Sequence, residues 1–527
     1  MHQSLGLLWI CVLGARLGEG KGLTADYGAC QSACITLSTL LSVESSVSYA
    51  ADFSQGPIVV DERKAEPLFW AQQQQAARPA CVVHVRSTGD IAVVIGTSRS
   101  TRCPFAVRGG GHSDVPGASN SNGGITVNMA GLSDVQVDEG AGVAKVGAGA
   151  RWGEVYKELE KFNRTVVGGR LTGVGVGGLL LGGGLSHFSG LHGWACDNVR
   201  NYEVTSVSRS HGIALANGSI VDVSHLTHPD LYRALRGGGN SFGVVTRFDL
   251  DLFVQGPVWG GLHVWPLLTS VTPAITGAFV KFAHDAPSDP HVSLFAGLGY
   301  MQGSFAWAVG QYDALGREEP PIFAGFRDDV EMYGAAKIVS TARVTSLSDL
   351  ADELNQSEPA GMRSRFTTAT FKAKKELLEL MVGYFVEEVE IALENGLRND
   401  GRFAPMLGIQ PLTRNILNEQ AKRGGNVMGL DEEDGPLVVC SFGWEWSHES
   451  DDDSVIAGIK AVLGKSVAAA KERDLYHPFR YMNYAAEDQD PIASYGADNV
   501  GFLKKVKETY DSEGLFTELV PGGFKVT

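Results

Sequence analysis

Residues 166–190 read VVGGRLTGVGVGGLLLGGGLSHFSG, and the fold turns on how this stretch is read. Glycines 168, 169, 173, 175, 177, 178, 182, 183 and 184 leave a nearly bare main chain with almost no charge. A second cluster, FAVRGGGHSDVPG at 105–117, sets Gly109, Gly110 and Gly111 directly before His112. Without a Cβ, backbone amides can approach a ligand closely and donate to phosphate oxygens. Neither loop ends in the Gly-Lys-Ser/Thr of a nucleoside-triphosphate loop. Neither is followed by the strand, turn, helix and acidic residue of a Rossmann unit. The two together predict a cradle for a large dinucleotide, the alternative being glycine used only for bulges and turns.

The remaining composition narrows the class. A chain of 527 residues, 44% hydrophobic and 20% charged, has enough apolar material for two sizeable globular domains. A net charge of −16 with no basic stripe excludes nucleic acid as a partner. The run LGLLWICVLGA, Leu5 to Ala15, is too short to span a bilayer. It reads as the apolar part of a signal peptide over residues 1–20, giving a secreted or secretory-pathway protein with no membrane segment after cleavage; a buried N-terminal segment is the alternative. Three acceptor triplets, at Asn163, Asn217 and Asn355, agree with that route. So do the six cysteines beyond Cys11, namely Cys30, Cys34, Cys81, Cys103, Cys196 and Cys440, whose pairing the sequence leaves open. None has the spacing of a zinc site, so no metal is expected.

Periodicity places the elements. Ile125, Val127 and Met129, then Val135 and Val137, alternate as strands do, and ARWGEVYKELEKFN turns one helical face with Trp152, Val155, Tyr156, Leu159 and Phe162. FTTATFKAKKELLELMVGYFVEEVEIALEN and DSVIAGIKAVLGKSVAAAKERD read as amphipathic helices that back a sheet. YMNY at 481–484 reads as a strand with Tyr481 and Asn483 on one side and Tyr484 on the other. Glu445, alternating with aromatics, is a lesser candidate for the substrate pocket, and ESDDD at 449–453 reads as a solvated helix start. His187 and His192 read as surface or structural residues, a place near the flavin being the alternative.

FAVRGGGHS, VGAGARWGEVY, VVGGRLTGVGVGGLLLGGGLSHFSGLHGWACDNV, DLYRALRGGGNSFGVVTRF and FRYMNYAAEDQDPIASYG, in this order, resemble the berberine bridge enzyme-like FAD-linked oxidases in their fungal branch. The resemblance implies an α+β fold of the vanillyl-alcohol-oxidase type. A two-part PCMH-type FAD-binding domain would occupy 21–253, its core about 77–253. A substrate domain with an antiparallel sheet backed by helices would occupy 254–474, and 475–527 would return to the FAD domain. TSVSRSHGI at 205–213 departs from the family pattern as an insertion.

The same resemblance assigns roles. His112 would carry FAD through the flavin 8α-methyl group, and Leu171, standing where some members have a second tethering cysteine, implies a mono-covalent flavin. Val174 matches a position where valine favours reaction with O2. Arg108, Gly109, Gly110, Gly111 and Ser113 would wrap the pyrophosphate and ribityl region, and Gly175, Gly177 and Gly178 would line the flavin. Asp197, Asn198, Val199 and Val245 would meet the adenosine half. Asn483 would contact flavin and Tyr484 would be the catalytic base, with Tyr481 the second candidate. A phenol ordinarily loses its proton near ~10, so the base needs a positive neighbour that the sequence does not identify. The implied activity is an oxidase acting on a small metabolite, monomeric, with O2 as acceptor and H2O2 as product. A secreted carbohydrate oxidase is one alternative, and a glycoprotein keeping the flavin fold without turnover is another.

Overall fold

The computed structural model describes residues 27–49, 69–206, 219–327, 337–397 and 402–527. The 1–20 signal segment, most of the 205–213 insertion and Asn217 lie outside them.

Short β-branched strands build the first sheet. Cys81–His84 (β2) and Phe105–Arg108 (β3) flank Ile125–Asn128 (β4) in parallel, and Ser46–Tyr49 (β1) closes one edge antiparallel. Such strands are apolar on both faces because helices and loops cover them. Helix α1, Tyr27–Leu40, is tied to this sheet by the Cys30–Cys103 and Cys34–Cys81 disulfides, while Cys196 and Cys440 are buried free thiols. Helix α2, Thr88–Thr101, makes the crossover to β3 and opens on a capping box between Ser87 and Asp90. Strand β3 runs straight into Gly109–Gly111, so His112 emerges at the carboxyl end of a parallel strand.

A second, antiparallel sheet follows in the order Val135–Asp138 (β5), Val143–Gly147 (β6), Val244–Asp251 (β9), Val199–Ser206 (β7) and Ser219–Ser224 (β8). Helix α3, Trp152–Glu160, buries Trp152, Val155, Tyr156 and Leu159, whereas Phe162 lies past the helix end and is exposed.

The third sheet is nine-stranded and antiparallel. Its centre runs Val258–Pro266 (β10), Ser304–Asp313 (β12), Val292–Met301 (β11), Ala404–Leu412 (β14), Leu437–Trp446 (β15) and Arg363–Lys372 (β13). The stretch expected to be one helix from Phe366 divides: Phe366–Lys372 belongs to β13, whose threonines suit pairing along β15, and the helix begins at Lys375. Helices Val271–Asp285 (α5), Lys375–Glu394 (α6) and Asp452–Glu472 (α7) cover one face. Alternation decides which residues meet them: Cys440, Phe442, Trp444 and Trp446 of β15 enter the helix-side core, leaving Ser441, Gly443 and Glu445 on the opposite face. Asp452, at the start of α7, is held by Arg363 and by Trp446 Nε1 at 2.7 Å, so this acidic helix start is more than a solvated face.

Two cores result. One joins the first two sheets to residues 479–526, including Ala497–Tyr510 (α8), and the other lies between the large sheet and its helices. The face of the large sheet turned away from its helices looks onto the glycine loops.

Candidate active site

The glycine loops cross at backbone contact. A Cβ placed on Gly110 would lie 2.3 Å from Gly175 N, and one on Gly175 would lie 2.3 Å from Gly110 N. Val176–Leu181 (α4) starts at this crossing, and above Gly178 nothing lies within 4 Å of where a Cβ would be. Gly182 backs onto Asn483, whose Oδ1 would be 2.0 Å from an added Cβ. Asn483 donates from Nδ2 to Leu179 O at 3.0 Å yet remains exposed, while its neighbours Tyr481 and Met482 are buried. An amide that opens onto a bare-backbone trough, flanked by glycines that admit no side chain, fits a long flat cofactor.

His112 sits at the end of this trough. Its ring stacks on Trp70 with centroids 4.7 Å apart and planes 7° from parallel, and Trp70 N donates to Gly111 O at 2.9 Å. Burial, opposed by a hydrogen bond within its own residue and aided by the charge of Arg151, pushes the imidazole down to about 4. The ring is therefore neutral at physiological pH and keeps a nitrogen lone pair, which bonding to carbon requires.

Across the trough, YMNY forms a 3₁₀ turn over Met482–Tyr484 rather than the expected strand, because Tyr484 N and Ala485 N bond back to Tyr481 O and Met482 O. The turn aims the two tyrosines differently. Tyr484 Oη accepts from Arg170 Nη2 at 2.9 Å and from Gln410 Nε2 at 2.6 Å, and Arg170 is also bound to Gln410 Oε1 at 2.7 Å. A cation and an amide thus converge on the oxygen that would carry negative charge after proton transfer. Tyr481 is 1% exposed; its Oη accepts from Gly184 N, Leu185 N and Asn483 Nδ2, and burial foremost pushes its phenol well above the ordinary range. The structure makes Tyr481 a pillar that orders the 182–185 turn.

The sequence model of the FAD binding domain family matches residues 79–223. The chain is 74% identical over 526 residues to the FAD-dependent monooxygenase FUP4 of Fusarium proliferatum, spanning 100% of both. It is 70% identical over 525 residues to the FAD-dependent monooxygenase tpcD of Cochliobolus heterostrophus, covering 99% of this chain and 100% of that one. The fold matches 6-hydroxy-D-nicotine oxidase of Arthrobacter nicotinovorans with a TM-score of 0.69 at 21% identity, over 91% of this chain and 97% of that one. The chain belongs to the family of these fungal FAD-dependent monooxygenases, and its fold is shared with BBE-like 1 of Physcomitrella patens, with a TM-score of 0.70 at 18% identity over 94% of this chain and 99% of that one. It is an FAD-linked oxidoreductase.

In this FAD-linked oxidoreductase not every residue singled out from the sequence reaches the trough. Arg108 is buried and donates from Nη1 to Asn128 Oδ1 at 2.9 Å, beneath the glycines. Ser113 Oγ accepts from Val115 N at 3.2 Å and shapes the loop. Gly109, Gly111 and Gly177 lie on the crossing loops, Gly111 with φ +73°. Leu171 and Val174 are half-buried there, and Val174 O anchors Trp152 N. Asp197 pairs with Arg236 at 2.9 Å with both side chains fully buried, and also accepts from Asn426 and Trp194 N. Asn198 donates to His192 O and Trp194 O, and Val199 and Val245 are core strand residues. The side chains of these last four are sealed in protein, and breaking the Asp197–Arg236 pair would cost about 3–5 kcal/mol of stability. His187 packs against Tyr312 with the rings tilted by 33° and His192 stacks on Phe253, each pair with centroids 3.8 Å apart.

The sequence reading missed Arg170, Gln410, Trp70 and Glu358. Arg170 had a signal: it is the only lysine, arginine or acidic residue between Val166 and Gly190. Glu358 lies beside Trp70, whose Nε1 donates to its carbonyl at 3.2 Å, and burial raises its pKa against the pull of Arg170. Glu445 is pushed up from 4.5 to about 8, by burial first and then by Glu358. Glu445 thus holds its proton more tightly folded than unfolded, so its contribution to stability is lost as pH rises from 4.5 towards 8. Glu445→Gln is expected to raise Tm over the wild type at pH 8.5 and to leave it unchanged at pH 4, read by thermal unfolding across that range.

Proposed function

We propose that this protein is an oxidase that takes a hydride from an alcohol- or amine-type carbon of a small secondary metabolite and passes the electrons to O2 as H2O2. The observation that carries the reading is the Tyr484 oxygen, accepting from Arg170 and Gln410, set beside an Asn483 amide that opens onto the glycine trough. Tyr484 removes the proton from the substrate O–H or N–H, and Arg170 with Gln410 holds the charge left on the phenol oxygen. Asn483 and the crossing loops would hold the cofactor ring, and Phe366, 6.2 Å from Tyr484, helps exclude water. FAD, when bound, supplies the hydride acceptor and the reactivity towards O2. Val174 supports the oxidase reading through the resemblance noted above.

The relatives named monooxygenases give the second reading, in which one oxygen atom enters the product. Turnover under labelled oxygen separates the two: an oxidase gives one equivalent of H2O2 and unlabelled product, whereas a monooxygenase gives labelled product.

We also propose a single covalent bond from His112 to FAD. The neutral, stacked imidazole supports it. On a denaturing gel under acid, wild-type protein is expected to fluoresce as flavoprotein and His112→Ala to be dark; a dark wild-type band from folded protein overturns the bond.

A secretory-pathway location is proposed on the two disulfides and on Asn163, which is exposed in a left-handed turn with φ +51°. Asn355 is a poor glycan acceptor, because its Oδ1 binds Gly173 N at 2.8 Å.

A further inference from the structure

Strands β11 and β14 separate at one end. Their ladder runs from Gly299–Met406 to Ala296–Ile409 and stops there, so Val292–Phe295 and Gln410–Leu412 continue without pairing to each other. In the fork lies a cavity of about 40 Å³, bounded by Arg170, by Ser186 and Ser189, and by Phe282 and Ile416. At ~10–15 Å³ for each water-sized group it admits about three such groups, the size of one small substituent. The cavity adjoins the reacting end, because Arg170 and Gln410, which line it, are the two donors to Tyr484 Oη.

Its uncommitted polar groups are donors. Ser186 Oγ accepts from Phe188 N at 3.3 Å and Ser189 Oγ from Ser186 N at 3.0 Å, and neither hydroxyl donates to a protein acceptor among the described residues. Ser293 Oγ lies 3.2 Å from His187 Nδ1. His187 Nε2 is buried with no partner among the described residues, and burial, aided by the charge of Arg170, holds the ring well below its ordinary pKa and so neutral. The single ring proton therefore belongs on Nδ1, where it has an acceptor, and Ser293 keeps its own proton to give. Arg170 commits Nη2 to Gln410 and Tyr484, while its Nε and Nη1 have no hydrogen-bond partner and the guanidinium no carboxylate partner among the described residues.

The side-chain acceptors are already engaged. Gln410 Oε1 receives Arg170, Asn415 Oδ1 receives Thr413 Oγ1 at 2.6 Å, and no aspartate or glutamate lines the cavity. Buried donors are ordinarily paired. A cation and three hydroxyl protons around one small space are complementary to a group that only accepts.

We propose that the fork receives a carbonyl or carboxylate oxygen of the substrate, held by Arg170, Ser186, Ser189 and Ser293. One guanidinium serves both Tyr484 and the fork, so the acceptor stands on the carbon next to the one oxidised, as in a 2-hydroxy ketone or a 2-hydroxy acid. The carbinol carbon of either carries the hydrogen that the reaction needs. Its O–H proton goes to Tyr484, its C–H hydride goes to FAD, and the carbon–oxygen single bond becomes a C=O double bond; O2 finally takes up both electrons and both hydrogens as H2O2. The inference rests on the reading of Tyr484 as the reacting end.

The test is anaerobic equilibrium dialysis of FAD-loaded protein against matched pairs of probes. Benzoin and 1,2-diphenylethanol differ by a carbonyl oxygen, and mandelate and 1-phenylethanol by a carboxylate in place of a methyl group. In at least one pair the member with the extra oxygen is expected to bind about 10-fold more tightly, the scale of a hydrogen bond to a charged group, and the pair with the larger ratio tells ketone from acid. A variant carrying Ser189→Ala and Ser293→Ala is expected to cut that ratio to about 3-fold or less while changing affinity for the partner without the oxygen by less than about 2-fold. Ser293→Ala alone, the milder change, lowers the ratio in part and keeps the test available if the double variant does not fold, as flavin content and Tm report. Ratios near one in both pairs, which would mean that water serves these donors, a ratio unchanged in the folded variants, or no binding of any probe overturns the proposal. Dialysis reads occupancy and bleaching of the flavin reads oxidation, so the substrate class can fail while the oxidase reading stands, and the reverse.

Discussion

Tyr484→Phe should slow anaerobic flavin reduction by about 100- to 10,000-fold, the range for loss of a positioned acid–base group. Flavin content should stay unchanged, because the substitution removes one oxygen and keeps the ring that packs at 4.8 Å against Tyr481 and at 6.2 Å against Phe366. Arg170 and Gln410 keep their mutual bond at 2.7 Å, so the pair survives without the phenol. Stopped-flow absorbance of the bound flavin gives the rate directly. A rate within a factor of about three of wild type would remove Tyr484 as the base. Tyr481→Phe provides the contrast. Its hydroxyl receives two backbone amides and Asn483, so its loss should lower Tm and disturb flavin binding more than it slows reduction in the protein that remains loaded.

Gly175→Ala should abolish flavin loading and lower stability by at least about 1–3 kcal/mol, the usual cost of forcing extra volume into a packed site. Its φ of −75° would tolerate alanine, so conformation is not the obstacle. The obstacle is Gly110 N, 2.3 Å from the new methyl group. Backbone cannot rotate aside as a side chain can, so the crossing must open and carry His112 with it. Gly178→Ala should behave differently: with nothing within 4 Å of its Cβ, the fold should persist at near wild-type Tm while flavin content falls. The ratio of absorbance at 450 and 280 nm, together with Tm for both variants, separates a glycine needed by the chain from one needed by the cofactor. Full flavin content in Gly175→Ala would mean that the crossing yields after all.

Much of this was legible in the sequence because glycine leaves a plain mark. The two clusters, the helix at Trp152 and the motif order carried the fold class and the FAD-binding family without any structural information. The misreadings have local causes. FTTATF carries apolar residues that suit either period, and its strand character comes from pairing with β15, a partner more than 60 residues away. YMNY alternates like a strand but curls because its amides bond within the turn. The helper of Tyr484 was invisible because Arg170 and Gln410 stand 314 and 74 residues from it in the chain. The side chains of Asp197, Asn198 and Val199 serve the core, which leaves only their backbone to meet a ligand.

One set of contacts has a mechanical outcome. The loop after His112 and the segment after Trp70 are bonded directly to β13: Asp114 accepts from Phe366 N at 2.7 Å, and Gln73 exchanges hydrogen bonds with the Ser364 main chain at 2.8 and 3.2 Å. The two walls of the reaction chamber are thereby fastened to each other along one margin, as the leaves of a book are at its spine. Widening the chamber along that margin means breaking these three hydrogen bonds.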